Sequence, residues 1–499
     1  MADSYCFAGY PTAVYYDKPG GKAQYELLWG RYIRLTGKEQ GKWLEIQRGS
    51  DTYWIHKDST QTEPILKIIF VDIGQGDGCL ITTPDNKQIV VDAGAGDNMY
   101  RFLRSKFGKF KSAINFDSFV ISHPDLDHYG GFRRMFDEPN VKVNTVYHSG
   151  IVERVAASPH GLGKRKKVGN RNYVAELIAD KPQLDALLTP AKIGTGRKKK
   201  AYPSMLRAAL DNGRVDDFKM LNADSEYLPG YAKSDDSELY VEVLGPVAEY
   251  PDQNSPEKPH LRWLSSKGKT KNGHSVILRM VYDKISIMLG GDLNIPAEEF
   301  ILEHYTGEDR QPATVEDQER LLRKARKVFQ SDFAKCCHHG SADFSELFLK
   351  AVNARATIIS SGDDEPHAHP RADTLGTIGK HSLGRRPLIF STELSRSAKE
   401  KIKDPHAFRK EIRDAVDRLA DAKATGKAGK IKSAQKAYDK VLNKIERSIS
   451  TYGAINLRTD GKRAVLAYKI EAPRRKDHIW DVYKFEEDDT GELSFLSKH

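Results

Sequence analysis

The sequence predicts an α/β protein built from more than one structural unit, and three observations predict it. Apolar strands end repeatedly in aspartate or histidine, as where Gln88-Ile89-Val90-Val91 runs into Asp92 and Ile285 to Leu289 runs through Gly290-Gly291 into Asp292. A series of short aromatic strands occupies the N-terminus, and a lysine-rich helical periodicity precedes the last strands. Polar residues stranded at strand ends are where open sheets keep their chemistry. At 499 residues the chain exceeds what one hydrophobic core organises.

The N-terminal unit comes first. Its apolar residues fall in short runs at Val14 to Asp17, Tyr25 to Leu28, Tyr32 to Leu35, Lys42 to Ile46 and Thr52 to Ile55, parted by glycine and polar turns. Short strands at this spacing predict a small β-barrel over residues 1–62. The aromatic strands at Gly41-Lys42-Trp43 and Tyr53-Trp54-Ile55 resemble bacterial Src-homology-3-like domains. With no export signal at the N-terminus, docking to a protein partner or within the chain is expected ahead of cell-wall binding.

The chemistry is concentrated in His123-Pro124-Asp125-Leu126-Asp127-His128-Tyr129-Gly130-Gly131, directly after the apolar run Phe119 to Ser122. Four metal-competent side chains in six positions make a poor core, because neighbouring carboxylates are costly to desolvate unless a proton or cation neutralises them. A divalent metal supplies that charge. Asp92, Asp292, His338-His339-Gly340-Ser341 and His369-Pro370 stand at further strand ends. One such aspartate alone is more often a turn or helix cap; their recurrence argues for a shared site. Gly74, Gly76 and Gly78 lie in a strand pair, so close backbone approach explains them better than a phosphate loop.

These blocks resemble the metallo-β-lactamase fold hydrolases, in particular the nuclease-like branch found in ComEC-type DNA-uptake proteins. Val71-Asp72-Ile73-Gly74-Gln75-Gly76-Asp77 is similar to that branch's opening strand pair. It is followed in order by Asp92, the segment His123 to Gly131, Asn272 to Leu278, Asp292, His338 to Ser341 and the loop from Ser360 to Pro370. The resemblance covers residues 65–395 and a closing strand pair near 453–469, and implies an αββα sandwich of two mixed sheets with helices outside.

It also implies a metal-dependent hydrolase whose water is activated by two divalent ions, zinc or manganese. His123 would bind the first ion, Asp127 and His128 the second, with Asp292 bridging and either His338 or His339 supplying the late histidine. Asp125 stands where most of the superfamily has histidine, and a carboxylate there shifts the preference from zinc toward manganese. His274 is the nearest candidate for the family's middle histidine. Asp92 would orient the cluster, and Asp127 and His369 would share in catalysis, His369 as a proton donor. Ser341, Ser360 and Gly362 would hold an anion; in the same loop Glu365 and His367 replace the branch's Asn and Tyr. Phosphodiesters, most plausibly nucleic acid, are the expected substrate. The alternatives are a cyclic nucleotide or other phosphorylated metabolite, and a non-catalytic module that senses nucleotide or docks a partner.

The segment from Val155 to about Leu239 falls outside the resemblance and carries two basic runs, Gly163 to Lys167 and Gly196 to Lys200. Lys166 and Lys199 are expected to meet phosphate, in keeping with a net charge of +10 and a pI near 9.0. From 396 to 450 the apolar residues Phe408, Ile412, Val416 and Leu419, then Ile431, Ala434, Tyr438, Val441, Ile445 and Ile449, recur on helical faces about a break at Gly426 and Gly429. This predicts an amphipathic helical hairpin for packing or homo-oligomerisation. Residues 451–499 would close the hydrolase with Ala454 to Arg458 and Ala464 to Ile470, ending in an acidic tail at Glu486 to Asp489. No apolar run is long enough to span a membrane, and four cysteines without metal-knuckle spacing read as reduced thiols of a cytoplasmic protein. A stress or phage-defence role would suit such a chain.

Overall fold

The computed structural model describes residues 4–155, 160–362, 367–384, 386–393, 405–451, 453–471 and 473–496, with side chains in the helical hairpin given for 410–441. Glu365 and the side chains of Phe408, Ile445 and Ile449 lie outside the described residues. Two mixed sheets form the centre. The larger has ten strands, in the order Val215–Met220, Val141–His148, Ile114–Ile121, Gln88–Ala93, Gly78–Thr82, Leu66–Phe70, Ile455–Thr459, Ala464–Lys469, Trp480–Glu487 and Leu493–Leu496. The smaller has six: Leu239–Gly245, Ile277–Tyr282, Ile285–Leu289, Phe333–Lys335, Ala356–Ile359 and Leu388–Ser391.

The inner faces of both sheets share one core, in which Ile68, Ile81, Ile89 and Leu457 meet Val243, Leu278, Ile287 and Ile358. Helices cover the outer faces. Asn98–Lys106 and Ala201–Asp211 bury Phe102, Leu103, Met205 and Leu206 on the larger sheet. Ile295–Thr306 and Val315–Phe329 bury Phe300, Ile301, Leu321 and Phe329 on the smaller. The result is an αββα sandwich. Burial of apolar side chains on both faces of each sheet explains why strands such as Gly78–Thr82 and Ile285–Leu289 read as continuous apolar runs.

Closure of the larger sheet is long-range. Ile455–Thr459 pairs antiparallel with Leu66–Phe70, so a strand far later in the sequence inserts beside one of the first core strands. Two further strands follow, and the expected acidic tail is instead the end of Trp480–Glu487 and its turn into Leu493–Leu496. The segment after Val155 also contributes to the core, since Val215–Met220 runs parallel to Val141–His148 at the sheet edge.

At the N-terminus, seven antiparallel strands between Tyr5 and Gln61 close on their own small core of Cys6, Ala8, Ala13, Leu27, Ile33, Ile46 and Ile55. The hairpin helices are Pro405–Ala424 and Ala428–Thr451, which pack on each other, the second also on Asn98–Lys106. Two details of the expected face change. Val416 is 44% exposed, and the buried stripe runs instead through Ala415, Leu419 and Ala422. Gly426, at φ +62°, makes the turn, whereas Gly429 is already helical.

Candidate metal centre

The strand ends converge. Asp92, His123, Asp292 and His339 leave Gln88–Ala93, Ile114–Ile121, Ile285–Leu289 and Phe333–Lys335, and the short helix Leu126–Tyr129 brings Asp127 and His128 to the same point. One oxygen or nitrogen from each of Asp127, His128, Asp292 and His339 lies within 4.8 Å of the others. The Nε2 atoms of His128 and His339 stand 3.1 and 3.2 Å from the Asp292 carboxylate.

Each imidazole is held from behind. Asp92 takes the Nδ1–H of His128 at 2.8 Å and is itself fixed by the backbone N–H and hydroxyl of Ser122. His339 Nδ1 bonds the carbonyl oxygen of Ser360 at 3.1 Å, and the Ser360 hydroxyl donates to Gly76 O. Nδ1 is thus committed in both rings, which leaves the Nε2 lone pairs facing the carboxylates. His123, His128 and His339 are all buried, and no Nε2 among the three has a hydrogen-bond partner; nor does Asp292 Oδ1. Unpartnered buried lone pairs aimed at one another are costly unless a cation lies between them. The donor set therefore fits a divalent metal ion.

Electrostatics agree. Five carboxylates, of Asp77, Asp92, Asp125, Asp127 and Asp292, face two ammonium groups, of Lys271 and Lys335. Burial would keep the imidazoles neutral, but Asp292 with Asp92 raises His128 well above its ordinary range, and Asp292 with Asp77 raises His339 to about 10. Burial likewise opposes ionisation of Asp77, yet Lys335 and His339 pull it down to about 2. Protons on these rings and a dication between them answer the same demand for positive charge.

Backbone geometry sets the approach. Asp92, His338 and His339 have φ of +54°, +47° and +53°, a left-handed conformation rare outside glycine that concentrates at functional sites. The turn at His338 and His339 separates two adjacent rings: His339 enters the cluster, while His338 Nε2 stops 3.5 Å from the Asn272 amide. A Cβ on Gly76 would lie 1.8 Å from the carbonyl oxygen of Asp127. Glycine there lets the Val71 to Asp77 segment touch the ligand loop, the close approach expected of it.

Other expected residues are placed as follows. His123 is at the cluster, 3.6 Å from Asp125 and 3.9 Å from Asp292. Asp125 is spoken for: the Lys271 ammonium contacts Oδ1, and the Asn272 amide, turned so that its nitrogen faces the carboxylate, donates to Oδ2 at 2.9 Å. His274 does not join; its Nε2 bonds the Arg262 carbonyl at 2.7 Å, because it caps the helix Lys267–Gly273 on the side away from the ligands. His369 stands beside the cluster, its ring 6.4 Å from that of His339. Ser341 Oγ accepts from Asp343 N, and Gly362 packs on Gly74. Lys166 pairs with Asp252 on the strand Arg165–Val168, and Lys199 is exposed beyond the turn Gly196–Lys198.

Asp77, Lys335, Lys271 and Asn272 had no role assigned from sequence. Asp77 lay within the opening glycine-rich block, and Lys271 within Lys267-Gly268-Lys269-Thr270-Lys271-Asn272, a basic stretch sparser than those after Gly163 and Gly196.

No family model and no curated protein matches the chain. Among solved structures, a protein described as a metal-dependent hydrolase from Parabacteroides distasonis is 13% identical over 66% of this chain and 94% of its own, with a TM-score of 0.26. A metallo-β-lactamase from Cronobacter sakazakii, solved as a motif mutant, is 14% identical over 55% of this chain and 77% of its own, with a TM-score of 0.25.

Proposed function

We propose that the protein is a metal-dependent hydrolase of phosphodiesters, acting on nucleic acid. The observation that carries the reading is the tetrad of Asp127, His128, Asp292 and His339, whose ligand atoms lie within 4.8 Å of one another and in which both histidine Nε2 atoms and Asp292 Oδ1 have no hydrogen-bond partner. A divalent ion there supplies Lewis acidity and a water of lowered pKa. The chain's residues do the rest. Asp92 and the Ser360 carbonyl hold two imidazoles in the ligating tautomer. Asp127, with a fifth of its side chain exposed, is the ligand that borders the opening through which substrate would enter. His369 stands close enough to deliver a proton to a leaving oxygen.

A single ion is the count the geometry favours. The place a second would take, between His123 and Asp125, is contested by the Lys271 ammonium, and its expected histidine, His274, is turned away. Lys271 would then be the fixed positive charge beside the ion, suited to an anionic substrate. Lys267 and Lys269 on the same helix are paired with Glu153 and Asp343, so it is Lys271 and the overall charge of +10 that favour a polyanion over a neutral ester or lactam.

The test pairs elemental analysis of the purified chain with cleavage of plasmid, single-stranded DNA and RNA in zinc or manganese. Cleavage lost in Asp127→Ala and weakened by salt is the expected result. Turnover confined to small diesters would reassign the substrate, and bound metal without turnover on either class would overturn the enzymatic reading.

A further inference from the structure

A second charged hollow lies away from the metal centre, where the N-terminal sheet meets the ten-stranded sheet and the end of the helix Asn98–Lys106. It is a cavity of about 290 Å³ whose walls carry Arg31, Arg48, Lys106, Arg458 and Lys469. Its one acidic wall residue, Glu26, is committed: Oε2 accepts the backbone N–H groups of Ile479 and Trp480 at 2.7 and 3.2 Å. Among the described residues no carboxylate pairs with Arg31, Arg48, Lys106 or Arg458.

The arrangement is built rather than incidental. Arg458 is 6% exposed and points its guanidinium at the carbonyl oxygens of Leu28 and Trp29 and the Asn456 side chain, all neutral acceptors. Its Nε has no partner, so the charge is anchored but not balanced. Arg31 and Lys106 keep exposed surface although protein surrounds them, as expected of side chains that line a hollow. The groups strain against one another. Enclosure, then Arg31, Arg458 and Lys67, hold Lys106 down to about 7, and enclosure with Arg458 and Arg31 holds Lys67 at about 8. Like charges gathered in a partly desolvated space raise the free energy of the fold unless an anion joins them.

We propose that this cavity binds a small molecule carrying two or more phosphate groups, seated between Arg31, Arg48, Lys106, Arg458 and Lys469. The number of cations calls for several negative charges. The volume lies at the lower end of small-ligand sites, which run from about 300 Å³, and suits a polyphosphate or nucleotide better than a polymer. The Tyr25 ring, whose hydroxyl accepts from Lys469 Nζ at 2.8 Å, and Trp480 offer flat walls for a base. Because the walls come from three separate segments, the ligand would tie the N-terminal unit to the core.

The experiment is calorimetric titration of the full chain, with its metal, by tripolyphosphate and by ATP at physiological salt, together with thermal melts. Binding to the native chain is expected, weakened at least about tenfold in Lys106→Ala and in Arg31→Ala, kept in Asp127→Ala, and accompanied by a rise in Tm that both cavity variants lose. These two side chains reach into solvent, so either variant should fold even where Arg458→Ala does not. No binding to the native chain overturns the proposal, as does equal binding in both cavity variants. Binding lost in Asp127→Ala but kept in Lys106→Ala would place the anion in the metal cleft. Binding of a 5′-phosphorylated oligonucleotide that is weakened in Lys106→Ala, with no binding of ATP or tripolyphosphate, would assign the charges to nucleic acid and overturn the small-molecule reading.

Discussion

The protein contains two enclosed clusters of opposite charge, and they are solved differently. In the metal cleft the carboxylates are met by imidazoles and two lysines, so a large part of the charge is already answered and one gap remains, at the focus of four donors. In the cavity beside the N-terminal sheet, Arg458 faces neutral carbonyls, the one wall carboxylate is committed, and among the described residues no carboxylate pairs with Arg31, Arg48, Lys106 or Arg458. The first is a site with fixed geometry, as a metal demands; the second has charge without a coordination shell, as a flexible polyanion tolerates. Where the gap lies, and whether it is a point or a volume, indicates the kind of ligand.

The largest expected effect comes from removing a wall of the point-like gap. Asp127→Ala should lose the divalent ion on dialysis and lower turnover by more than about 100-fold, beyond the range typical for outer partners of a ligand; retention of metal with full activity would break the contrast. Asp92→Asn leaves all four donors in place but weakens the hold on His128, and should reduce metal affinity by roughly 10- to 100-fold, read by competition with a chelating dye. Lys271→Met asks whether an ammonium replaces an ion. Metal content should rise from about one toward about two ions per chain, and an unchanged content would show that Lys271 does not exclude the second.

The smallest effect concerns a lone buried carboxyl. Glu298 is fully buried, no cation among the described residues pairs with it, and burial followed by the nearby Asp343 raises it to about 8. The folded protein therefore keeps this proton where the unfolded chain, releasing it near 4.5, does not. The stability tied to it is complete below pH 4.5 and declines as pH rises toward 8. Glu298→Gln should flatten that decline, so that its Tm exceeds that of the native chain near pH 8 but not at acid pH. Parallel curves for the two proteins would contradict the assignment.

Much of the cleft was legible because its ligands sit in contiguous motifs at the ends of apolar strands: His123, Asp127, His128 and Asp292 announce themselves by composition and position. The choice of His339 over His338 was not legible, since it depends on two successive residues adopting positive φ. His274 misled because a histidine after a helix is equally a cap, and here its hydrogen bond goes to a backbone carbonyl. Lys271 was not legible because nothing in the run Lys267 to Asn272 marks which of its lysines turns toward the carboxylates. The cationic cavity was invisible for a simpler reason: Arg31, Lys106 and Arg458 are far apart in sequence, and only sheet closure brings them together. The two sheets followed from apolar runs, whereas Val215–Met220 was masked by the basic, turn-rich stretch before it.

The pairing of Ile455–Thr459 with Leu66–Phe70 has a consequence for synthesis. Until the ribosome has passed Thr459, the early strand presents a bare apolar edge, which is an invitation to pair with another nascent copy. Chaperone demand and losses to aggregation should therefore be concentrated in chains truncated before Ile455, and a C-terminal tag that slows release would be tolerated better than any deletion reaching that strand.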